Sequence, residues 1–128
     1  MADRKEPPTI TLEPADARLR VEFGGEILAE SDRALILREG RLAPVFYIPK
    51  DAIRWELAAP TDRVTHCPYK GDAQYWSVTA GGKTVENAIW AYPQAIDEVA
   101  PIRDCVALYW DKMDAWFLGG ERLENPTS

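Results

Sequence analysis

The clearest pattern in the chain is a strict alternation in which Leu19, Val21 and Phe23 are apolar and Arg18, Arg20 and Glu22 are charged. A period of two places successive side chains on opposite faces of an extended backbone, so this stretch predicts a half-buried strand. Gly24-Gly25 follows. Glycine tolerates the positive φ angles of a tight hairpin, so a second strand is expected to include Ile27 and Leu28. Ala34 to Leu37, stopped by Glu39-Gly40 and resumed at Val45 to Ile48 after Pro44, predicts a second hairpin. Pro49-Lys50-Asp51 breaks the ladder because proline has no amide hydrogen, and a single helical turn at Asp51 is compatible with the break. Ile53, Trp55 and Leu57 then return to period two and predict a further strand.

Tyr75 to Thr79, Gly81-Gly82 and Thr84 to Tyr92 predict a third hairpin. In it Trp76 and Val78 face away from Tyr75, Ser77 and Thr79, while Trp90 and Tyr92 share one face. Ala95 to Ala100 suits a short helix. Cys105 to Trp110 reads as the last strand, with Val106, Leu108 and Trp110 opposed to Cys105, Ala107 and Tyr109. Met1 to Pro14 and the tail from Glu121 are charged or proline-bearing with little periodicity, and are expected to fray. No internal repeat is evident. The expected fold is therefore mainly β: a single compact antiparallel domain over residues 15–118 with tent-like or barrel-like sheets and one or two short helical turns. A flexible segment, residues 1–14, and a tail, residues 119–128, flank it.

Length and composition narrow this further. At 128 residues, 46% of them hydrophobic, the chain suits one domain with a continuous core that needs no disulfide or metal staple. The formal net charge of -6 is the wrong sign for a phosphate backbone, so no nucleic-acid partner is expected. The charges are interspersed along the chain and read as a solvated surface. Two cysteines, Cys67 and Cys105, and a charged start with no apolar leader predict reduced thiols and a cytoplasmic location. No apolar run approaches the eighteen or so residues of a spanning helix, so no membrane role is expected. Oligomeric state is not legible.

Chemistry concentrates at His66-Cys67-Pro68-Tyr69-Lys70-Gly71-Asp72-Ala73-Gln74-Tyr75-Trp76, which holds the only histidine, a thiol, an amine, a carboxylate and three aromatics. Pro68 and Gly71 predict an irregular turn that brings these side chains to one pocket mouth. Lys70 and Asp72 are the residue types that bind a charged ligand or transfer protons. Tyr69, Tyr75 and Trp76, with Trp90 and Tyr92, are those that stack on a flat one. His66 and Cys67 add a thiol-nucleophile reading, since an imidazolium stabilises a thiolate, but neighbours in extended chain point apart unless the turn joins them. The competing reading is structural, with an exposed Lys and Asp pair of little energetic weight and core aromatics. Trp55, Trp90, Trp110, Trp116, Tyr47, Tyr92 and Tyr109 exceed what so small a core needs, so part of that surface is available to line a cavity. No Cys-x-x-Cys or His-x-x-x-His spacing exists, so no metal site is expected and no cofactor is implied. Gly24-Gly25 and Gly81-Gly82 sit between strand patterns and are hairpin turns, not phosphate loops.

At these residues the chain resembles the bacterial family known as domain of unknown function 427. The resemblance rests on His66 to Ala73 followed by Tyr75-Trp76, with support from Arg20-Val21, Gly25 to Ser31, Pro60-Thr61, Asn87 to Tyr92, Pro101-Ile102, Val106 to Tyr109 and Asp114 to Trp116. It implies a compact antiparallel β fold of the tent-like kind shared by methionine-R-sulfoxide reductases and the thalidomide-binding domain of cereblon. Neither the zinc-binding cysteine pairs nor the tryptophan cage of those proteins maps onto this chain, and a shared fold carries no reaction across. The nucleotidyltransferase-like label also attached to the family implies a Gly-Ser motif followed by spaced carboxylates holding two metal ions. No Gly-Ser is present, and Asp111 and Asp114 fall where a turn is expected.

Three functional readings follow. The domain binds a small molecule or is a small enzyme whose pocket uses Tyr69, Lys70, Asp72, Tyr75, Trp76, Trp90 and Tyr92, with His66, Lys70, Asp72 and Cys67 as candidate catalytic groups. Alternatively the same surface docks a protein through exposed aromatics, or the turn has a purely structural role.

Overall fold

The computed structural model describes residues 10–124 apart from Tyr69. Residues 1–9 and 125–128, assigned to the fraying ends, lie outside the described residues. Eleven strands are present among those described: β1 (Ile10–Pro14), β2 (Leu19–Phe23), β3 (Glu26–Ser31), β4 (Leu35–Glu39), β5 (Val45–Pro49), β6 (Ala58–Cys67), β7 (Gly71–Ala80), β8 (Lys83–Ala91), β9 (Cys105–Leu108), β10 (Ala115–Leu118) and β11 (Glu121–Arg122). They form a seven-stranded sheet ordered β1-β4-β5-β9-β8-β7-β6 and a four-stranded sheet ordered β11-β10-β2-β3. Every pairing is antiparallel. Both sheets are open, so the barrel-like alternative is set aside.

The three glycine- or proline-punctuated hairpins are β2–β3, β4–β5 and β7–β8. Four expectations are corrected. Ile10–Pro14 is not frayed: Ile10 to Pro14 pair with Glu39 to Leu35. Pro14 is tolerated because β1 is an edge strand, where a missing donor breaks no ladder. Ile53, Trp55 and Leu57 do not make a strand; Trp55–Leu57 is a 3-10 turn. There the Trp55 indole N–H donates to the Lys50 carbonyl at 2.8 Å and the Arg54 N–H to the Leu28 carbonyl at 2.9 Å, so local capture outweighs the period-two pattern. The expected helix at Ala95 to Ala100 is an irregular 3-10 segment, Asp97–Asp104, with Pro101 inside it. Finally, β9 ends at Leu108 and is not last, because a 3-10 turn at Trp110–Lys112 leads on to β10 and β11. These strands of four and two residues are too short to show a period.

The seven-stranded sheet is apolar on both faces. On one side Val78, Ile89, Val106 and Leu108 pack against Leu19, Val21, Phe23 and Leu28 of the smaller sheet. On the other, Tyr47, Ala73, Tyr75, Tyr92 and Ala107 pack with Val99 and Ile102 from the 3-10 segment. Leucine, valine and isoleucine thus fill the space between sheets, whereas tyrosines dominate the second face.

The two Gly-Gly turns lie back to back. Gly24, Gly25, Gly81 and Gly82 all have positive φ, and a Cβ on Gly24 would run into the Ala80 carbonyl while one on Gly81 would run into that of Gly24. Glycine is needed at both inner positions for backbone approach as well as for φ. Asp114 ties the junction, accepting from the Gly24 N–H and from Lys83 Nζ, each at 2.7 Å. Those two donors, Lys83 first, hold the Asp114 carboxyl below the usual carboxylate range.

Irregularities in β6 between Pro60 and Val64, in β7 between Trp76 and Val78, and at Asn87 of β8 adjoin one another across the sheet. Asn87 has φ 55°, its N–H donates to Ser77 Oγ at 3.1 Å, and its side-chain oxygen accepts from Thr61 Oγ1 at 2.6 Å. Bulges bend a sheet locally, and here they separate the half of the β6–β8 ribbon that carries the Gly-Gly turn from the half that carries Tyr75 and Trp90.

Candidate functional site

The site starts at the turn between β6 and β7. His66 pairs with Asp72 and Cys67 with Gly71, so the ladder continues to the last residue of β6 and the side chains keep their period-two alternation. The expectation of convergence on one pocket mouth is therefore corrected. His66 and Asp72 share the solvent face, with Nδ1 and Oδ1 at 2.7 Å and side chains 69% and 70% exposed. Cys67, half-buried, turns to the inner face with Ala73 and Tyr75.

Lys70 is the turn residue that goes inward. Its backbone N–H donates to the Cys67 carbonyl at 3.2 Å, and its side chain is only 10% exposed. Nζ donates to Glu39 Oε1 at 2.5 Å, and Glu39, at the end of β4, is equally buried. A charge this deep requires a partner, and here each ion supplies the other's. Nζ also stands 5.6 Å from the centre of the Tyr92 ring, within cation–π range. Gly71 makes the inward turn possible. Its φ is 112°, and a Cβ there would lie 3.3 Å from the Gln94 carbonyl, so the segment after β8 closes tightly against it.

Beside this ion pair lies a cavity of about 250 Å³. Tyr47, Tyr75, Tyr92 and Tyr109, four of the chain's five tyrosines, line it together with Trp90. Leu37 and Val45 add apolar wall, and Lys70 and Glu39 contribute the charged part. The opening follows from topology. β5 pairs with β9 only through Ile48 and Pro49, so the start of β5, with Val45 and Tyr47, is free to line the gap that Trp90 of β8 also borders.

The walls are braced. Trp90 and Tyr109 meet at 4.5 Å between ring centres and 48° between planes. The Tyr75 hydroxyl and Thr65 Oγ1 are hydrogen-bonded at 2.8 Å. Two exposed cations sit on ring faces, Arg63 at 5.0 Å from Tyr75 and Lys112 at 4.5 Å from Tyr109. Burial pushes the phenols of Tyr47 and Tyr92 well above their ordinary value. Tyr109 moves the same way, through burial and then its neighbour Tyr75. Near neutral pH these three are uncharged hydroxyls, each able to donate and accept. Cys105, packed in the same cluster, has its thiol pushed up to about 11 by burial, so it is no nucleophile at that pH.

Of the residues singled out from sequence, the structure gathers Lys70, Tyr75, Trp90 and Tyr92 around one cavity. It leaves His66 and Asp72 outside as a surface pair. Trp76 points to the opposite face of β7 and packs on Trp55, ring centres 5.3 Å apart, so it does not share this cavity. Tyr69 lies outside the described residues. Sequence reasoning passed over Glu39. Its signal was available, because Leu35, Leu37 and Glu39 share one strand face, and a carboxylate in line with a buried leucine needs a cationic partner. Among the described residues no group of three or more His, Cys, Asp or Glu side chains is arranged to hold a metal ion. None of the helical segments described is long and apolar enough to cross a membrane.

The family model described as domain of unknown function (DUF427) matches residues 11–119. The chain belongs to the DUF427 family. No curated protein matches it. The matched span runs from the second residue of β1 to one residue past the end of β10, so both partners of the Lys70–Glu39 pair and all the cavity tyrosines fall inside the DUF427 region.

Proposed function

We propose that this DUF427 domain binds a small molecule in the tyrosine-lined cavity beside Lys70 and Glu39. The observation that carries the reading is the convergence of a buried ion pair, four phenol rings and one indole on a single space of about 250 Å³. Ligand pockets combine apolar and aromatic walls with a few fixed polar groups, and this one has that make-up in a volume just below the usual range of about 300–1,000 Å³. The buried lysine, its carboxylate partner and the hydroxyls are the groups that would orient a ligand, and Lys70 or Glu39 is the group to test for proton transfer if the domain is an enzyme.

Docking of a protein on the same surface is less well supported. Interface anchors project from a surface, whereas Tyr47, Tyr75 and Tyr92 are buried within the fold. The test is a thermal-shift screen of nucleotides, amino acids, organic acids, divalent metals and uncharged alcohols and phenols against the wild type and Tyr92→Leu. A compound that raises the wild-type melting midpoint and loses that effect in the variant supports the reading. A stabilising compound indifferent to Tyr92→Leu overturns it.

A further inference from the structure

The charge and hydrogen-bonding inventory of the cavity narrows what it accepts. Lys70 and Glu39 neutralise each other at 2.5 Å, so the polar end of the cavity carries an ammonium and a carboxylate but no net charge. A bound anion would have to draw Lys70 from Glu39 and leave the carboxylate buried beside a second negative charge. A bound cation would do the converse to Lys70. Either arrangement strands a desolvated charge, which is among the most unfavourable events in a protein interior.

An uncharged ligand meets no such penalty. The ammonium has three N–H groups and gives one to Glu39 Oε1, and among the described residues neither its other two nor Oε2 has a hydrogen-bond partner. A donor and an acceptor therefore lie side by side at the cavity wall. A hydroxyl satisfies both through one atom, its oxygen accepting from Lys70 while its proton goes to Glu39. The rest of the space suits one ring, because a cavity of about 150 Å³ already admits benzene and this one measures about 250 Å³. The Trp90 and Tyr109 rings, tilted at 48° to each other, both line the space and provide aromatic surface for a ring to pack on.

We infer that the cavity selects an uncharged, single-ring ligand bearing a hydroxyl, seated with that hydroxyl between Lys70 Nζ and Glu39 and its ring among Trp90 and the tyrosines. The inference rests on the cavity being a ligand site and adds the class of ligand. It also explains why the cavity keeps both ions at its wall: the pair is a neutral, two-handed reader of a hydroxyl, which neither ion alone would be.

Phenol, anisole, benzoate and benzylamine share a ring and differ only in the group presented to the pair. Each is titrated to its solubility limit into ¹⁵N-labelled protein, following the Trp90 indole N–H and the backbone of Lys70. Phenol is expected to bind at least tenfold more tightly than the other three, and its advantage over anisole is expected to vanish in the Glu39→Leu/Lys70→Met double variant while the ring still binds. Anisole equal to phenol, or benzoate or benzylamine tighter than phenol, overturns the inference and leaves the ligand site standing. No shift at Trp90 with any of the four overturns the inference, while the ligand site itself stands or falls on the thermal-shift screen. Because the decisive contrast is among ligands on wild-type protein, it holds whether or not the double variant folds.

Discussion

Breaking the Lys70–Glu39 pair from one side is expected to unfold more of the molecule's stability than its single hydrogen bond suggests. At 2.5 Å between Nζ and Oε1, the attraction at an effective dielectric near 20 is about 7 kcal/mol. Desolvating each ion costs several kcal/mol, so the two terms nearly cancel and the intact pair adds little net stability. Lys70→Met removes the attraction but leaves Glu39, 10% exposed, with its desolvation penalty; the expected loss is about 3–5 kcal/mol. Glu39→Leu should lose a similar amount. The double variant replaces two buried ions by two apolar side chains and should lie within about 1 kcal/mol of wild type, or above it. Urea unfolding followed by tryptophan fluorescence measures all four proteins, and with a slope of about 1–3 kcal/mol per molar the single variants should move the midpoint by more than ~1 M. Strictly additive losses, with the double variant as unstable as the sum of the singles, would refute the reasoning, because they would mean that neither charge depends on the other.

Other consequences follow from the fold and its titrating groups. Gly24→Ala and Gly81→Ala combine positive φ with backbone collision and should lose about 2–5 kcal/mol, whereas Gly25→Ala and Gly82→Ala, whose Cβ positions are open, should lose only the ~1–2 kcal/mol of the left-handed conformation; urea midpoints separate the two classes. In alkali the raised thiol of Cys105 and phenols of Tyr47, Tyr92 and Tyr109 keep their protons in the folded state longer than in the unfolded one. Stability should therefore be flat up to about pH 9, the ordinary thiol value, and then fall continuously as pH rises; a denaturation series that is level to pH 11 would contradict it. His66→Ala and Asp72→Ala should each change stability by no more than about 1 kcal/mol, since the pair is largely exposed, and a larger loss in thermal melts would assign the surface pair a structural role.

Much of the fold was legible because its hairpins carry glycine at the turn and alternation in the strands, as at Leu19 to Phe23. The failures have local causes. β1 was hidden by the Pro7-Pro8 pair before it and its own Pro14, although Ile10 and Leu12 alternate with Thr11 and Glu13. Trp55 imitated a strand position while its indole was tied to Lys50. β10 was too short to declare itself.

The site was half legible. The crowding of chemistry at the β6–β7 turn pointed to the right place, but density along the chain does not say which side chains turn inward. The ladder sends His66 and Asp72 to solvent and only Lys70 to the interior, where its partner comes from 31 residues earlier. Tyr47 and Tyr109 were visible as surplus aromatic surface, yet their convergence depends on β5 leaving β9 after two paired positions, which no local pattern encodes. Trp76, one residue from Tyr75, was lost to the opposite face by the same period-two rule that placed Tyr75 correctly.

The most direct test of the cavity as a ligand site is an indole ¹H–¹⁵N spectrum of the protein titrated with whichever compound of the screening panel stabilises it most. Five tryptophans give five reporters, and among the described residues only Trp90 lines the cavity beside Lys70. The account predicts that the Trp90 resonance moves first and furthest, with Trp55 and Trp76 unmoved; a shift centred on Trp76 or Trp110 with Trp90 unaffected would contradict it.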